Sequence, residues 1–164
     1  MQRLNHTRSS GFTLIEILIV LVVIGITVAL VSVNFARDNK AELNETAKRL
    51  ALLLQAANNE AIVSGKSLAF IGNRSGYEFY HRDKERKWNE QLNEEPFTGN
   101  QLPSSTSIAD LTIDTAKVPI TTPLIFSSSG FNPPFNIVLA NTDIRIAVVG
   151  DAGGNIYVQD FVSR

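Results

Sequence analysis

Glu16 poses the sharpest chemical problem in this 164-residue chain, because it is the one charged side chain in an almost unbroken apolar run from Phe12 to Val33. A carboxylate inside an apolar membrane helix costs about 2.5–3.5 kcal/mol on insertion scales, so it needs a counter-charge and marks a functional position. Other reactive side chains are sparse. With 2 histidines and 0 cysteines, the chain has no thiol nucleophile, no disulfide and no thiolate metal site. His6 lies near the N-terminus and His81 beside a charged stretch, and neither has a second ligand at metal-binding spacing. Ser127-Ser128-Ser129-Gly130 lacks the elbow of a serine hydrolase, and no histidine follows His81, so it reads as a turn. The segment from Gly150 to Gly154 has neither the P-loop lysine nor dinucleotide spacing and reads as a hairpin turn. Asp143, Asp151, Asn155 and Asp160 are oxygen donors that could face calcium, but their spacing matches no EF-hand loop. From His81 to Trp88, basic residues stand beside an aromatic as in a nucleic-acid patch. The interleaved Asp83 and Glu85 favour a solvated hairpin turn instead. These residues supply no catalytic, cofactor or metal site, and the expectation is a chain that is not an enzyme.

The elements that must carry Glu16 follow from hydropathy. As a helix, Phe12 to Val33 would extend roughly 33 Å at about 1.5 Å per residue, enough to cross a bilayer core. Arg3 and Arg8 precede the run and no basic residue lies inside it, which predicts a cytoplasmic leader and an outward-facing C-terminal part. Gly25 and Ala29 offer a small-residue face on this helix. Beyond Asn34, Leu43, Ala47, Leu50, Leu54, Ala57 and Ala61 recur at helical spacing, with Lys48, Asn58 and Asn59 placed off the stripe. This predicts an amphipathic helix over 41–63, stopped at Ser64-Gly65. Short apolar runs then alternate with turn residues: 68–71, 77–80, 111–113, 124–126, 135–139, 144–149 and 156–158. Hairpin turns are predicted at 72–76 and 151–155, and a long surface loop over 93–107. The formal net charge is −1. Removing Arg3 and Arg8 from the 15 basic residues leaves 13 against 16 acidic ones, a balance of −3, and no nucleic-acid partner is expected.

The segment Ser10-Gly11-Phe12-Thr13-Leu14-Ile15-Glu16 is a short basic leader ending in glycine, then phenylalanine, with a carboxylate four residues on. It resembles the prepilin peptidase site of type IV pilins and type II secretion pseudopilins. The resemblance implies cleavage between Gly11 and Phe12, methylation of the new Phe12 amine, and retention of the helix as an anchor. It also implies a counter-charge for Glu16: the Phe12-type ammonium of an adjoining subunit, a pair that helps to set register in the fibre.

Further residues narrow the likeness: Gly76-Tyr77-Glu78-Phe79, Trp88, Leu124-Ile125-Phe126, Ser129-Gly130 and Phe135-Asn136-Ile137-Val138-Leu139. Together they resemble the H-type minor pseudopilins of type II secretion. Type IV pilins often close a C-terminal loop with a disulfide, which a cysteine-free chain cannot form. The implied fold is α+β and pilin-like, a long N-terminal helix packed on two antiparallel sheets. The expected division is a leader over 1–11, a transmembrane and assembly helix over 12–33, its amphipathic continuation over 34–65 and a periplasmic β-rich domain over 66–164. The implied role is structural: an inner-membrane, single-pass protein built near the tip of the pseudopilus to support protein export. Its implied partners are other major and minor pseudopilins, prepilin peptidase and the inner-membrane assembly platform. The alternative is a minor pilin of a type IV pilus serving fibre priming, adhesion, twitching or DNA uptake.

Overall fold

A single helix, α1 (Leu14–Ser64), opens the computed structural model, which describes residues 13–82, 88–92, 95–98 and 101–160, without the side chains of 29–38 and 89–91. The chain divides into two units, Met1–Asp38 and Asn39–Arg164. No proline precedes Pro96, so nothing of that kind interrupts the helix. It ends where sequence placed the stop: Gly65 takes φ 66, a left-handed conformation that costs glycine little.

Nine strands follow within the second unit's described residues: β1 (Leu68–Gly72), β2 (Tyr77–Arg82), β3 (Trp88–Gln91), β4 (Ser107–Ile113), β5 (Ala116–Val118), β6 (Leu124–Phe126), β7 (Phe135–Ala140), β8 (Arg145–Gly150) and β9 (Ile156–Asp160). They form two antiparallel sheets, ordered β3-β2-β1-β6 and β5-β4-β7-β8-β9. The 72–76 and 151–155 turns join β1 to β2 and β8 to β9, in agreement with their reading as hairpins. The fold is thus the α+β arrangement expected of the sequence.

The predicted stripe is the face that α1 buries. Leu43, Ala47, Leu50, Leu54, Ala57 and Ala61 are all fully buried, while Lys48 and Asn59 are exposed. They share one core with Phe70, Phe79, Leu124 and Phe126 of the first sheet and Leu111, Ile137, Leu139 and Ile146 of the second. Each buried leucine contributes about 1.5–3 kcal/mol relative to an exposed one. Phe126 and Phe135 meet edge to face at 6.1 Å and join the two sheets directly.

Three expectations need correction. Asn58 is buried, not off the stripe: it stands four residues after Leu54 and three before Ala61, a spacing that shares their face. Its Oδ1 accepts a hydrogen bond from Asn132 Nδ2 at 2.7 Å, and Asn132 Oδ1 accepts the Ser127 N–H at 2.7 Å. The 93–107 segment is no simple surface loop. Phe97 is 6 % exposed and packs at 5.0 Å on Phe79, Thr106 is buried, and Ser107 already belongs to β4. Strands β3 and β5 were not foreseen. The β4–β5 turn is Asp114-Thr115, with φ 47 and 69, a two-residue turn that sequence usually announces with glycine.

Asn58→Ala removes the acceptor that satisfies a buried amide, and the full chain in detergent is expected to lose about 1–3 kcal/mol in urea unfolding. The exposed neighbour provides the control, since Asn59→Ala should shift stability by no more than about 0.5 kcal/mol.

Candidate assembly site

The first unit presents α1 with every described side chain exposed from Thr13 to Val28. Leu14 is 91 % exposed, and Ile15, Leu18, Leu21, Val23, Ile26 and Val28 each exceed half exposure. A helix apolar on all sides cannot rest in water and requires lipid or other helices around it. Gly25 leaves a smooth spot on that surface, because a Cβ added there would meet nothing within 4 Å. The side chain of Ala29, its proposed companion, lies outside the described residues. So do Gly11 and Phe12, the expected sites of cleavage and methylation, and His6. Among the described residues no helix is long and apolar enough to cross a membrane.

Glu16 occupies the first turn of α1. Its backbone N–H donates to the Thr13 carbonyl at 3.1 Å and approaches Thr13 Oγ1 at 3.3 Å. Thr13 therefore caps the helix, with Leu14, Ile15 and Glu16 as the first three helical positions. Thr-x-x-Glu is the sequence signature of a capping box, a signal that sequence reasoning passed over while treating Glu16 only as an assembly residue. A carboxylate at this position also faces the positive end of the helix dipole.

The remaining candidates do not converge on a site. His81 sits half-buried on β2, opposite Leu68 and Glu90, and among the described residues its Nδ1 has no hydrogen-bond partner. The Ser127–Gly130 segment is a turn closed by the Gly130 N–H donating to the Ser127 carbonyl at 2.9 Å. The four oxygen donors separate to opposite ends of β8: Asp143 precedes it and Asp160 pairs with Ile146 near its start, whereas Asp151 and Asn155 form the turn after its end. Among the described residues no three His, Cys, Asp or Glu side chains gather as metal ligands. The stretch from His81 to Trp88 connects β2 to β3, and the Arg82 guanidinium lies 5.4 Å from the Trp88 ring centre; residues 83–87 are outside the described set. Tyr77 and Phe79 are core residues whose rings meet at 5.9 Å. Burial pushes the Tyr77 phenol up, offset in part by the Arg49 cation.

A helix whose distal half carries an apolar stripe packed on two antiparallel sheets defines a pilin-like fold. Residues 46–154 match the family described as type II transport protein GspH, and residues 6–32 match the prokaryotic N-terminal methylation motif. The chain belongs to the GspH family. Among its relatives is the type II secretion system protein H of Aeromonas hydrophila, 31% identical over 109 residues, which are 65% of this chain and 59% of that protein. The protein of the same name from Pseudomonas aeruginosa is 32% identical over 83 residues, 49% of this chain and 48% of that one. The chain therefore spans less than two thirds of the curated relatives it matches. In fold it is similar to two structures of the minor pseudopilin EpsH from the type II secretion system of Vibrio cholerae. One, at 19% identity, has a TM-score of 0.58 over 73% of this chain and 97% of the other; the second, at 20% identity, has 0.61 over 76% and 98%.

The Asp151 carboxylate accepts the Asn155 N–H at 2.9 Å and Asn155 Nδ2 at 3.0 Å, and these bonds, the side-chain one foremost, hold its pKa below the ordinary value. A depressed folded pKa stabilises the hairpin fully above the unfolded carboxylate value of about 3.9, and that contribution is lost as pH falls through the folded value. In an NMR titration Asp151 should titrate below the ordinary aspartate value, and Asn155→Ala should raise it toward that value.

Proposed function

We propose that this chain is a structural minor pseudopilin of type II secretion, anchored in the inner membrane by one pass of its N-terminal helix, with the β-rich domain in the periplasm. The proposed division keeps a leader over 1–11, the assembly helix over 12–33, its amphipathic continuation over 34–65 and the domain over 66–164. Prepilin peptidase cuts between Gly11 and Phe12, and the Phe12 amine is methylated. The chain then leaves the bilayer through the assembly platform and packs helix to helix with other major and minor pseudopilins near the fibre tip. It acts by assembly and catalyses no reaction.

The observation that carries this reading is the helix itself: exposed apolar side chains on every side around a single carboxylate, on a chain of the GspH family. Lipid accepts such a helix before assembly, and neighbouring helices accept it afterwards. Transfer between the two is favourable if Glu16 gains a counter-charge in the fibre that it lacks in the bilayer, where an unpaired carboxylate is costly. The methylated Phe12 ammonium of the adjoining subunit supplies that charge.

Two sets of substitutions test the reading. Gly11→Val is expected to leave the leader attached, so that mass spectrometry of membrane-extracted protein finds the uncut N-terminus, whereas the parent chain begins at methylated Phe12; a parent chain that keeps Met1 in a host with active peptidase would refute the scheme. Glu16→Gln removes the charge but keeps the length of the side chain, and Glu16→Ala removes both. Both variants should insert normally and both should be depleted from sheared fibres. If the glutamine variant enters fibres as well as the parent, the charge of Glu16 has no part in assembly.

A further inference from the structure

The triplet Asn-x-Ser/Thr is the acceptor signature for asparagine-linked glycans, and it occurs here at Asn5-His6-Thr7, Asn44-Glu45-Thr46 and Asn73-Arg74-Ser75. The triplet pairs an amide with a hydroxyl two residues on. A folded chain can therefore serve as acceptor only where both groups are exposed and close together. Asn5 lies in the proposed leader, outside the described residues. Asn44 is half-buried within α1, directly after the fully buried Leu43. On a helix, residues two apart do not face each other, and Thr46 Oγ1 instead donates to the Glu42 carbonyl at 2.8 Å. Neither condition holds at Asn44.

Both hold at Asn73. Asn73, Arg74 and Ser75 are all exposed at the tip of the β1–β2 hairpin. The Ser75 N–H donates to Asn73 Oδ1 at 2.9 Å and the Ser75 hydroxyl to the same oxygen at 3.1 Å, so the side chain of Asn73 mimics a backbone turn. A backbone N–H can only donate, which identifies the bonded atom as the oxygen and leaves the amide nitrogen outside. Among the described residues nothing accepts from Asn73 Nδ2. The rest of the turn is held by backbone bonds alone: the Asn73 N–H donates to the Gly76 carbonyl at 2.9 Å, and the Leu102 N–H donates to the Ser75 carbonyl at 2.9 Å. A group added to Nδ2 thus replaces no bond of the fold and extends into solvent.

We propose that Asn73 is a glycan acceptor, with a glycan carried on a membrane-held lipid pyrophosphate as donor and a transferase of the host as catalyst. Nδ2 loses one proton to a base of the transferase and bonds to the anomeric carbon of the sugar. The bond from that carbon to the pyrophosphate oxygen breaks, and the lipid pyrophosphate leaves with its electron pair. The inference rests on the periplasmic placement above, where the folded domain and a membrane-held donor share one compartment.

The full chain extracted from membranes of its own host tests the site by mass spectrometry of its peptides, with fragment ions locating any added sugar. Access of protease to the domain from the periplasm is read on the same cells. The Asn73 peptide should carry a sugar mass and the Asn44 peptide none. Asn73→Gln and Ser75→Ala should each lose the addition. Ser75→Thr restores the hydroxyl and should keep it, which separates lost recognition from a disturbed turn. A bare Asn73 in a domain that protease reaches from the periplasm, a glycan on Asn44 in its place, or an addition that survives Ser75→Ala overturns the acceptor site and leaves the placement standing. A domain that protease cannot reach from the periplasm removes both.

Discussion

An apolar helix needs a surrounding that is not water, and α1 meets that need in two ways along its length. From Leu14 to Val28 its exposed side chains are apolar on every side, and the requirement falls on lipid or on other helices. From Leu43 to Ala61 the apolar residues narrow to a stripe, and the chain's own sheets satisfy it. The first half therefore remains chemically unfinished in an isolated chain, while the second completes a folded domain. Membership of the GspH family and a pilin-like fold are what such a division of labour looks like in one polypeptide.

Within the domain, the stripe is the common surface on which both sheets rest, and polar contacts fix where they rest. Asn58 reaches the turn after β6 through Asn132, Glu42 accepts a hydrogen bond from Ser105 at 2.9 Å, and the Asn39 carbonyl accepts one from Asn141 at 3.1 Å. Apolar burial supplies most of the free energy but tolerates sliding, because it depends on area rather than direction. The three directional contacts, made by residues far apart in sequence, oppose that sliding. Gly150 adds a steric condition at the second sheet: a Cβ there would come within 2.1 Å of the Phe135 ring, so that ring lies flat on bare backbone.

Much of this was legible in the sequence wherever a side-chain period met a glycine. The stripe and the Gly65 stop gave the distal helix, and the glycine-rich turns at 72–76 and 151–155 gave two hairpins. The misses follow from the same rule. Strand β5 is entered through Asp114-Thr115, where a β-branched residue holds φ 69 and no glycine advertises the turn. Phe97 lies among polar and turn residues, and only the aromatic cluster of Phe70, Tyr77 and Phe79 explains its burial. Asn58 was assigned to solvent by its chemistry although its spacing put it inside. The match of residues 6–32 to the N-terminal methylation motif follows from glycine, then phenylalanine, with a carboxylate four residues on; the Thr13-x-x-Glu16 cap was legible in the same segment.

The three polar contacts on α1 also have a mechanical meaning. Asn39 and Asn58 are separated by about 28 Å of helix at a rise of about 1.5 Å per residue. A force along the axis of this part of the helix loads all three contacts. Two of them, at Asn39 and Glu42, lie within one turn and the third, at Asn58, stands far from them, so the domain is fastened near both ends of this span, as rivets hold both ends of a lap joint. The domain is thus better suited to axial thrust than to being lifted sideways from its helix.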